Sequence, residues 1–560
     1  MSSTSLVVVQ QGPPLPSGTP EYEALRTLIL DEFAAFVPEA LILPRHITEN
    51  PPKDVTGIPR ECGILSPEEI DITEKYDAVS LASAIASKKL TAVAVSTAFA
   101  KRAIIAHQLT CCLTEWFMDE AIERAKQLDD HLEKTGKTIG PLHGVPISIK
   151  QHIPVAGHYN DVGYLSTRMV DDRDSLMIAI LRKAGAVFYC KTNQPQSIMH
   201  LESTSPIGRV LNPHNIGLSA GGSTGGEAAL VAMRGSILGI GTDIGGSVRG
   251  PSAFCGIYGF KPTSYVLPMK DFLNGGALAE LNILCSTGPM CTSLRDMNLF
   301  MSVMAAAKPY IEDPRVIPLP WDVSTSTQLQ EGTASLKIGF AMNDGIIEPQ
   351  PPAIRALNWA REQLAKSSAF QIKPFELYGT AEAMKDIRLA YWPDGGNLIK
   401  SKLAATGEPM FPLTQWIIKD AEGAGLTASG ILDQRLRRDQ FRCEFSQHWA
   451  AQDVDLVICP AFVGPACTHE TAFYWNYTAL WNYVDYPGVV LPTPIRALAK
   501  GQEDYSSKTP LSDQCKHVRQ LWEEVDFEGA PMNIQVVARR YHDASLFTAL
   551  HLMQDALQIK

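Results

Sequence analysis

Gly221-Gly-Ser-Thr-Gly-Gly-Glu227 and Gly241-Thr-Asp-Ile-Gly-Gly-Ser-Val-Arg249 are the stretches on which the reading of this chain turns. Each sets a serine, Ser223 or Ser247, behind a pair of glycines. Glycine opens backbone conformations closed to other residues and keeps side chains clear, so a reacting carbonyl can approach main-chain N–H groups. Ser247 therefore stands where a nucleophile would. The backbone N–H groups of Ile244, Gly245, Gly246 and Ser247 are the candidate oxyanion-hole donors. The bland alternative is that both are ordinary glycine-serine loops. A phosphate-binding loop is disfavoured, because neither turn runs into the Gly-Lys-Ser/Thr such a loop needs.

A serine hydroxyl is a poor nucleophile until a neighbouring base takes its proton, and no histidine near the turns has an evident triad context. Lysine is the other choice. Lys150 ends the apolar run Val145-Pro-Ile-Ser-Ile149, a position able to bury its ammonium and draw down a reference pKa of about 10.4 toward neutrality. Ser223 is placed to bridge Lys150 and Ser247, carrying a proton inward for attack and outward to the leaving nitrogen.

Working outward, helical spacing (Thr91 to His107, Met118 to Leu132) alternates with short apolar runs (Val145 to Ile149, Val187 to Cys190), the pattern of an α/β fold. Further strands are expected at Leu336 to Ala341, Asp455 to Cys459, Val489 to Pro492 and Asn533 to Val537. Helices are expected at Pro352 to Lys366, Leu432 to Ala450 and Ser545 to Gln558. Ahead of these, residues 1–18 are rich in Ser, Gly and Pro and read as disordered or draped on the surface. Glu21 to Phe36 reads as a peripheral helix, and Leu43 to Pro59 as an extended connector. The expected division is an N-terminal extension over 1–76 and one catalytic domain over 77–560.

The 560 residues are 45% hydrophobic and 19% charged, ordinary for a globular protein. A net charge of −11 without a basic stripe argues against a nucleic-acid partner. No apolar run approaches the roughly 20 residues that cross a bilayer, and no signal-peptide core is visible, so a cytosolic protein without a transmembrane segment is expected. The 11 cysteines are scattered without metal-ligand spacing and read as reduced, structural thiols. His143, His152, His158, His200 and His214 show no paired spacing on a helix and read as satisfied or surface residues rather than metal ligands.

Together with Pro251-Ser-Ala-Phe-Cys-Gly256 and Gly259-Phe-Lys-Pro-Thr263, the two glycine-serine stretches resemble the amidase signature family. Gly140-Pro-Leu-His-Gly-Val-Pro-Ile-Ser-Ile-Lys150, Lys191-Thr-Asn-Gln-Pro-Gln-Ser197 and Gly529-Ala-Pro-Met-Asn-Ile-Gln-Val-Val-Ala-Arg-Arg540 look like further blocks of that family, in the same order. The resemblance implies a mixed sheet flanked by helices, Lys150 as base, Ser223 as a bridging serine preceded by a cis peptide, and Ser247 as acyl acceptor. Asp243 and Arg249 would then support the site without reacting. It implies hydrolysis of a small or medium carboxamide, acetamide-like, aryl or indole-acetamide, with no metal or organic cofactor. The small-molecule amide would be the partner, and homodimerisation is left open.

Phe473-Tyr-Trp-Asn-Tyr-Thr-Ala-Leu-Trp-Asn-Tyr483 and Trp392-Pro-Asp-Gly-Gly396 resemble the acetamidase-like branch common in fungi. On that likeness Ile198, Trp392, Trp475 and Trp481 are expected to line a substrate pocket, against the alternative that the aromatics are core. Three places depart from the family pattern: Gln151 and His152 follow the lysine where an acidic residue is common, Thr224 replaces a second serine, and Thr292 falls where an arginine is usual. Competing readings are an acyltransferase using the same acyl-enzyme, the ammonia-generating subunit of a tRNA-dependent amidotransferase, and a non-catalytic binding protein on this scaffold.

Overall fold

Eleven strands among the described residues join in one sheet: β1 (Leu113–Trp116), β2 (Pro146–Lys150), β3 (Val187–Thr192), β4 (Leu238–Asp243), β5 (Tyr258–Lys261), β6 (Ser286–Cys291), β7 (Leu336–Phe340), β8 (Phe370–Pro374), β9 (Leu456–Cys459), β10 (Gly488–Arg496) and β11 (Pro531–Val537). The computed structural model describes residues 6–272, 280–323, 335–423 and 425–560. Across the sheet the order is β1-β3-β2-β4-β6-β5-β10-β11-β9-β7-β8. Strand β2 runs parallel to both β3 and β4, and β7 parallel to β8 and β9. The remaining pairs are antiparallel, so the sheet is mixed, as expected.

Central strands of such a sheet are covered by helices on both faces and read as unbroken apolar runs. All five residues of β2 and all six of β3 are buried. The strands expected from the apolar runs all form, with their ends shifted. Strands β4 and β5 were not expected, because Gly239, Gly241 and Gly259 dilute the apolar signal there. Their pairing partners, β2, β6 and β10, supply what local propensity lacks.

Helix Ala92–Thr110 begins where the Thr91 side chain accepts from the Ala94 N–H, and the Asp129 carboxylate takes the Ala92 and Val93 N–H groups at 2.7 and 3.0 Å. Those donors have no partner inside the helix, so the caps fix its start. Helix Met118–Thr135 buries Ala121, Ala125, Leu128 and Leu132, one stripe at helical spacing, and leaves its charged face to solvent. Helices Pro351–Leu364, Ala428–Ala451 and Asp543–Met553 form close to their expected positions.

Before the sheet, Val9 donates its N–H to Gln108 O at 2.8 Å, and Arg209 Nη1 donates to the carbonyls of Gln11 and Pro13. Residues 6–18 are thus laid along the domain and lead into helix Pro20–Ala35. At the other end of the sheet an aromatic cluster fills the core. Trp449 packs on Trp481 and Tyr486 with ring centroids 6.3 and 5.5 Å away, and its Nε1 donates to Val454 O at 2.9 Å. Truncating so large a fully buried ring leaves a cavity: Trp449→Ala is expected to lose about 3–5 kcal/mol of stability, read from the midpoint of urea unfolding at unchanged slope.

Candidate active site

Alternation along β2 places Ser148 and Lys150 on one face, toward helix Gly225–Ala232. There the Ser148 hydroxyl meets Glu227 and, at 2.7 Å, Ser236. One step along, the fully buried Lys150 Nζ lies 2.6 Å from Ser223 Oγ, 3.0 Å from Thr224 Oγ1 and 3.1 Å from Thr242 Oγ1. The Gly222-Ser223 peptide is cis, as the resemblance implied. Three hydroxyls and no carboxylate surround the amine. Burial pulls it down to about 7, against the opposing charge of Asp243. At neutral pH a substantial fraction is therefore the free base.

The second turn leaves the end of β4 and enters helix Arg249–Cys255. Asp243 gathers it: the Gly246 N–H reaches Oδ1 at 2.9 Å, and the Val248 N–H reaches Oδ2 at 3.1 Å. Arg249 answers with Nη2 on Oδ1 at 2.9 Å and Nε on Oδ2 at 3.0 Å. Both side chains are fully buried. Burial alone would raise Asp243, but the Arg249 guanidinium outweighs it and holds the carboxyl well below the usual range. Arg249 also donates to Asn482 Oδ1 at 2.6 Å and Gln535 Oε1 at 2.8 Å. Gly246 has φ +123°, and a side chain there would collide with Thr478 Oγ1. Gly241 lets Thr224 approach, since a β-carbon would stand 2.7 Å from Thr224 Cγ2.

Ser247 is the residue between two tied neighbours. It lines a cavity of about 160 Å³ together with Ser223, Thr242 and His152. Ile198, Met199, Ile244, Met269, Ile283 and Leu284 supply its apolar wall. Cys285 also faces it, but burial pushes that thiol up to about 12, so it stays protonated. The Ser247 carbonyl accepts from the Thr224 N–H at 3.2 Å, stitching the two turns together.

Four sequence-based expectations need correction. Gly246 N–H is engaged by Asp243, so it is not a free donor; those of Ile244, Gly245 and Ser247 have no acceptor among the described residues. Trp392, Trp475 and Trp481 are not among the residues lining the cavity, whereas Ile198 is. Trp475 packs edge-on against Trp416 at 5.6 Å, and Trp481 against Phe445 at 5.8 Å. Large rings bury in the core more readily than they line a small polar-ended cavity.

Thr242, Asn482 and Gln535 were not singled out. Thr242 lies inside the quoted motif; Asn482 and Gln535 are polar residues within apolar segments, and that was the available signal. Of the histidines, His158 sits between Glu115 and Glu120, His200 meets Thr414, and His214 meets Cys255 O. His152 belongs to the site. Where an arginine is usual, Thr292 instead accepts from Arg234 Nη1 at 3.1 Å.

A family model described as Amidase matches residues 94–547. An amidase of Gibberella zeae is 37% identical over 90% of this chain and 94% of its own length. The acetamidase of Aspergillus oryzae is 36% identical over 87% of this chain and 90% of its own. Among solved structures, a fatty acid amide hydrolase superposes with a TM-score of 0.88 at 30% identity, covering 97% of this chain and 95% of that one. Removing one partner of a buried ion pair strands the other charge, so Arg249→Met is expected to cost about 3–5 kcal/mol, measurable by chemical denaturation.

Proposed function

From the premise that this chain belongs to the amidase family and is an amide-hydrolysing enzyme, we propose that it cleaves neutral carboxamides through an acyl-enzyme on Ser247, with Lys150 as base and Ser223 as relay. The observation that carries this reading is the fully buried amine of Lys150, drawn down to about 7 by burial, 2.6 Å from Ser223, which lines the same cavity as Ser247.

In the first step the free amine of Lys150 takes the Ser223 proton while Ser223 takes that of Ser247, and Ser247 Oγ adds to the amide carbon. Hydrogen bonds of this kind are often open in the empty enzyme and close when substrate binds. The negative charge that develops on the carbonyl oxygen faces the free N–H groups of Ile244, Gly245 and Ser247. Collapse of the tetrahedral intermediate breaks the C–N bond. The proton returns from Lys150 through Ser223 to the leaving nitrogen, so ammonia or an amine departs neutral. Water then adds to the acyl-enzyme by the same relay run again, releasing the carboxylic acid and restoring Ser247.

The cavity supports a substrate class. An apolar-lined space of roughly 150 Å³ holds a benzene ring, and this one, at about 160 Å³, joins such a wall to the polar end at Ser247. The proposed acyl groups run from acetyl to a monocyclic aryl ring. Across a series of straight-chain amides kcat/KM is expected to rise about fourfold per added methylene, from burial worth about 0.8 kcal/mol each, until the cavity is full. Preference for a charged acyl group such as that of glutamine would overturn the substrate class.

Because only unprotonated Lys150 is a base, kcat/KM is expected to climb with pH through about 7 and level off above it. Ser247→Ala is expected to lose roughly 10⁴-fold or more in kcat, and Lys150→Ala similarly, with partial recovery at high pH. Undiminished turnover in either variant would refute its assigned role.

A further inference from the structure

Hydrogen-bond direction around Lys150 is determined by groups remote from it. Gln194 Nε2 lies 3.0 Å from the Asp161 main-chain carbonyl and 3.4 Å from Asp161 Oδ1. A carbonyl only accepts, so that end of the amide is the nitrogen, and Oε1 faces His152 Nδ1 at 2.8 Å. Nδ1 therefore carries the proton. In a neutral imidazole the other nitrogen is then bare. Burial holds His152 well below its ordinary value and so keeps it neutral. Its Nε2 stands 3.3 Å from Thr242 Oγ1 and accepts that hydroxyl's hydrogen.

Thr242 thus offers only lone pairs to Lys150. Thr224 is in the same position, since its hydroxyl donates to the Thr242 carbonyl at 3.3 Å. A neutral amine has two N–H bonds and one lone pair. Thr224 at 3.0 Å and Thr242 at 3.1 Å take the two hydrogens, and the lone pair is left for the Ser223 hydroxyl at 2.6 Å. Were the Thr242 hydroxyl free to turn, it would donate to that lone pair and compete with Ser223.

We propose that His152 is a positioning residue of the amidase reaction: held by Gln194 in the Nδ1–H form, it draws the Thr242 hydroxyl proton away from Lys150 and so aims the Lys150 lone pair at Ser223. This rests on the Ser-Ser-Lys reading above. Two segments of undefined role acquire one here. The Lys191-to-Ser197 block supplies Gln194, and His152 belongs with Gln151 to the pair that follows the lysine where the family pattern carries an acidic residue. That departure keeps the base surrounded by neutral groups on this side.

Neutron diffraction on deuterium-exchanged crystals of the native enzyme tests the geometry directly. The expected result is a deuteron on His152 Nδ1, none on Nε2, and the Thr242 deuteroxyl directed at His152. A deuteron on Nε2, or a Thr242 deuteron directed at Lys150, would overturn the proposal. In kinetics, His152→Phe is expected to lower kcat about 100-fold, the scale of a misaligned reacting group, over and above any change in KM from its place in the cavity wall. Because His152 acts through Thr242, the Thr242→Val, His152→Phe double variant should be no slower than Thr242→Val alone. Additive losses, or a changed KM at unchanged kcat, would also overturn it. Labelling of Ser247 by a fluorophosphonate separates the two readings: no labelling of the native enzyme sinks the triad and this proposal with it, whereas labelling with the wrong His152 tautomer sinks this proposal alone.

Discussion

Everything at the catalytic end of this molecule hangs on the carboxylate of Asp243. A buried ion pair is weak evidence of stability by itself, because desolvating both charges offsets their attraction. What Asp243 contributes is geometry. One carboxylate holds the Gly246 and Val248 N–H groups and the Arg249 guanidinium together, and Asn482 Nδ2 donates to it as well at 2.9 Å. The turn between β4 and the following helix is thereby closed on either side of Ser247. Arg249 extends the tie to Gln535 on β11, across the middle of the sheet. The short helix Asn476–Tyr483, through Asn482, and a closing strand remote in sequence, through Gln535, both converge on the placement of this one turn.

The two ends of the proposed relay differ in how they are held. Lys150 comes from a strand buried on both faces, so its backbone is fixed by its neighbours β3 and β4. Ser223 and Ser247 come from turns whose shape is fixed by side chains and by a main-chain bond between them. Sites on regular elements are held more tightly than sites on loops. Here the loops are made comparably firm by a buried carboxylate and by the threonines packed behind the glycines.

Much of this was legible in the chain. The apolar runs ending at Ile149 and Cys190 marked strands of an α/β fold, and the serines behind glycine pairs marked the turns. What was not legible had a common cause. Strands β4 and β5 are rich in glycine, and their strand character comes from partners on either side rather than from their own residues. Trp392, Trp475 and Trp481 were misplaced for a related reason: aromatic residues signal burial without saying whether a ligand or the core lies against them. The free oxyanion donors were overcounted because a sequence does not show that Asp243 folds back to take the Gly246 N–H. His152 was read as an ordinary satisfied histidine; it is indeed satisfied, but by partners that lie on the reacting residues.

The charge balance of the cavity bears on the end of the proposed catalytic cycle. On the proposed mechanism Lys150 works in its uncharged form, Arg249 is engaged by Asp243, and Arg315 at the rim is paired with Asp313. A neutral amide enters such a space at little electrostatic expense. Hydrolysis turns it into a carboxylate, and an anion without a cation to meet it is poorly solvated there. The proposed chemistry would thus convert a guest the chamber tolerates into one it repels, so that the acid is shed into water and the next molecule finds the chamber empty.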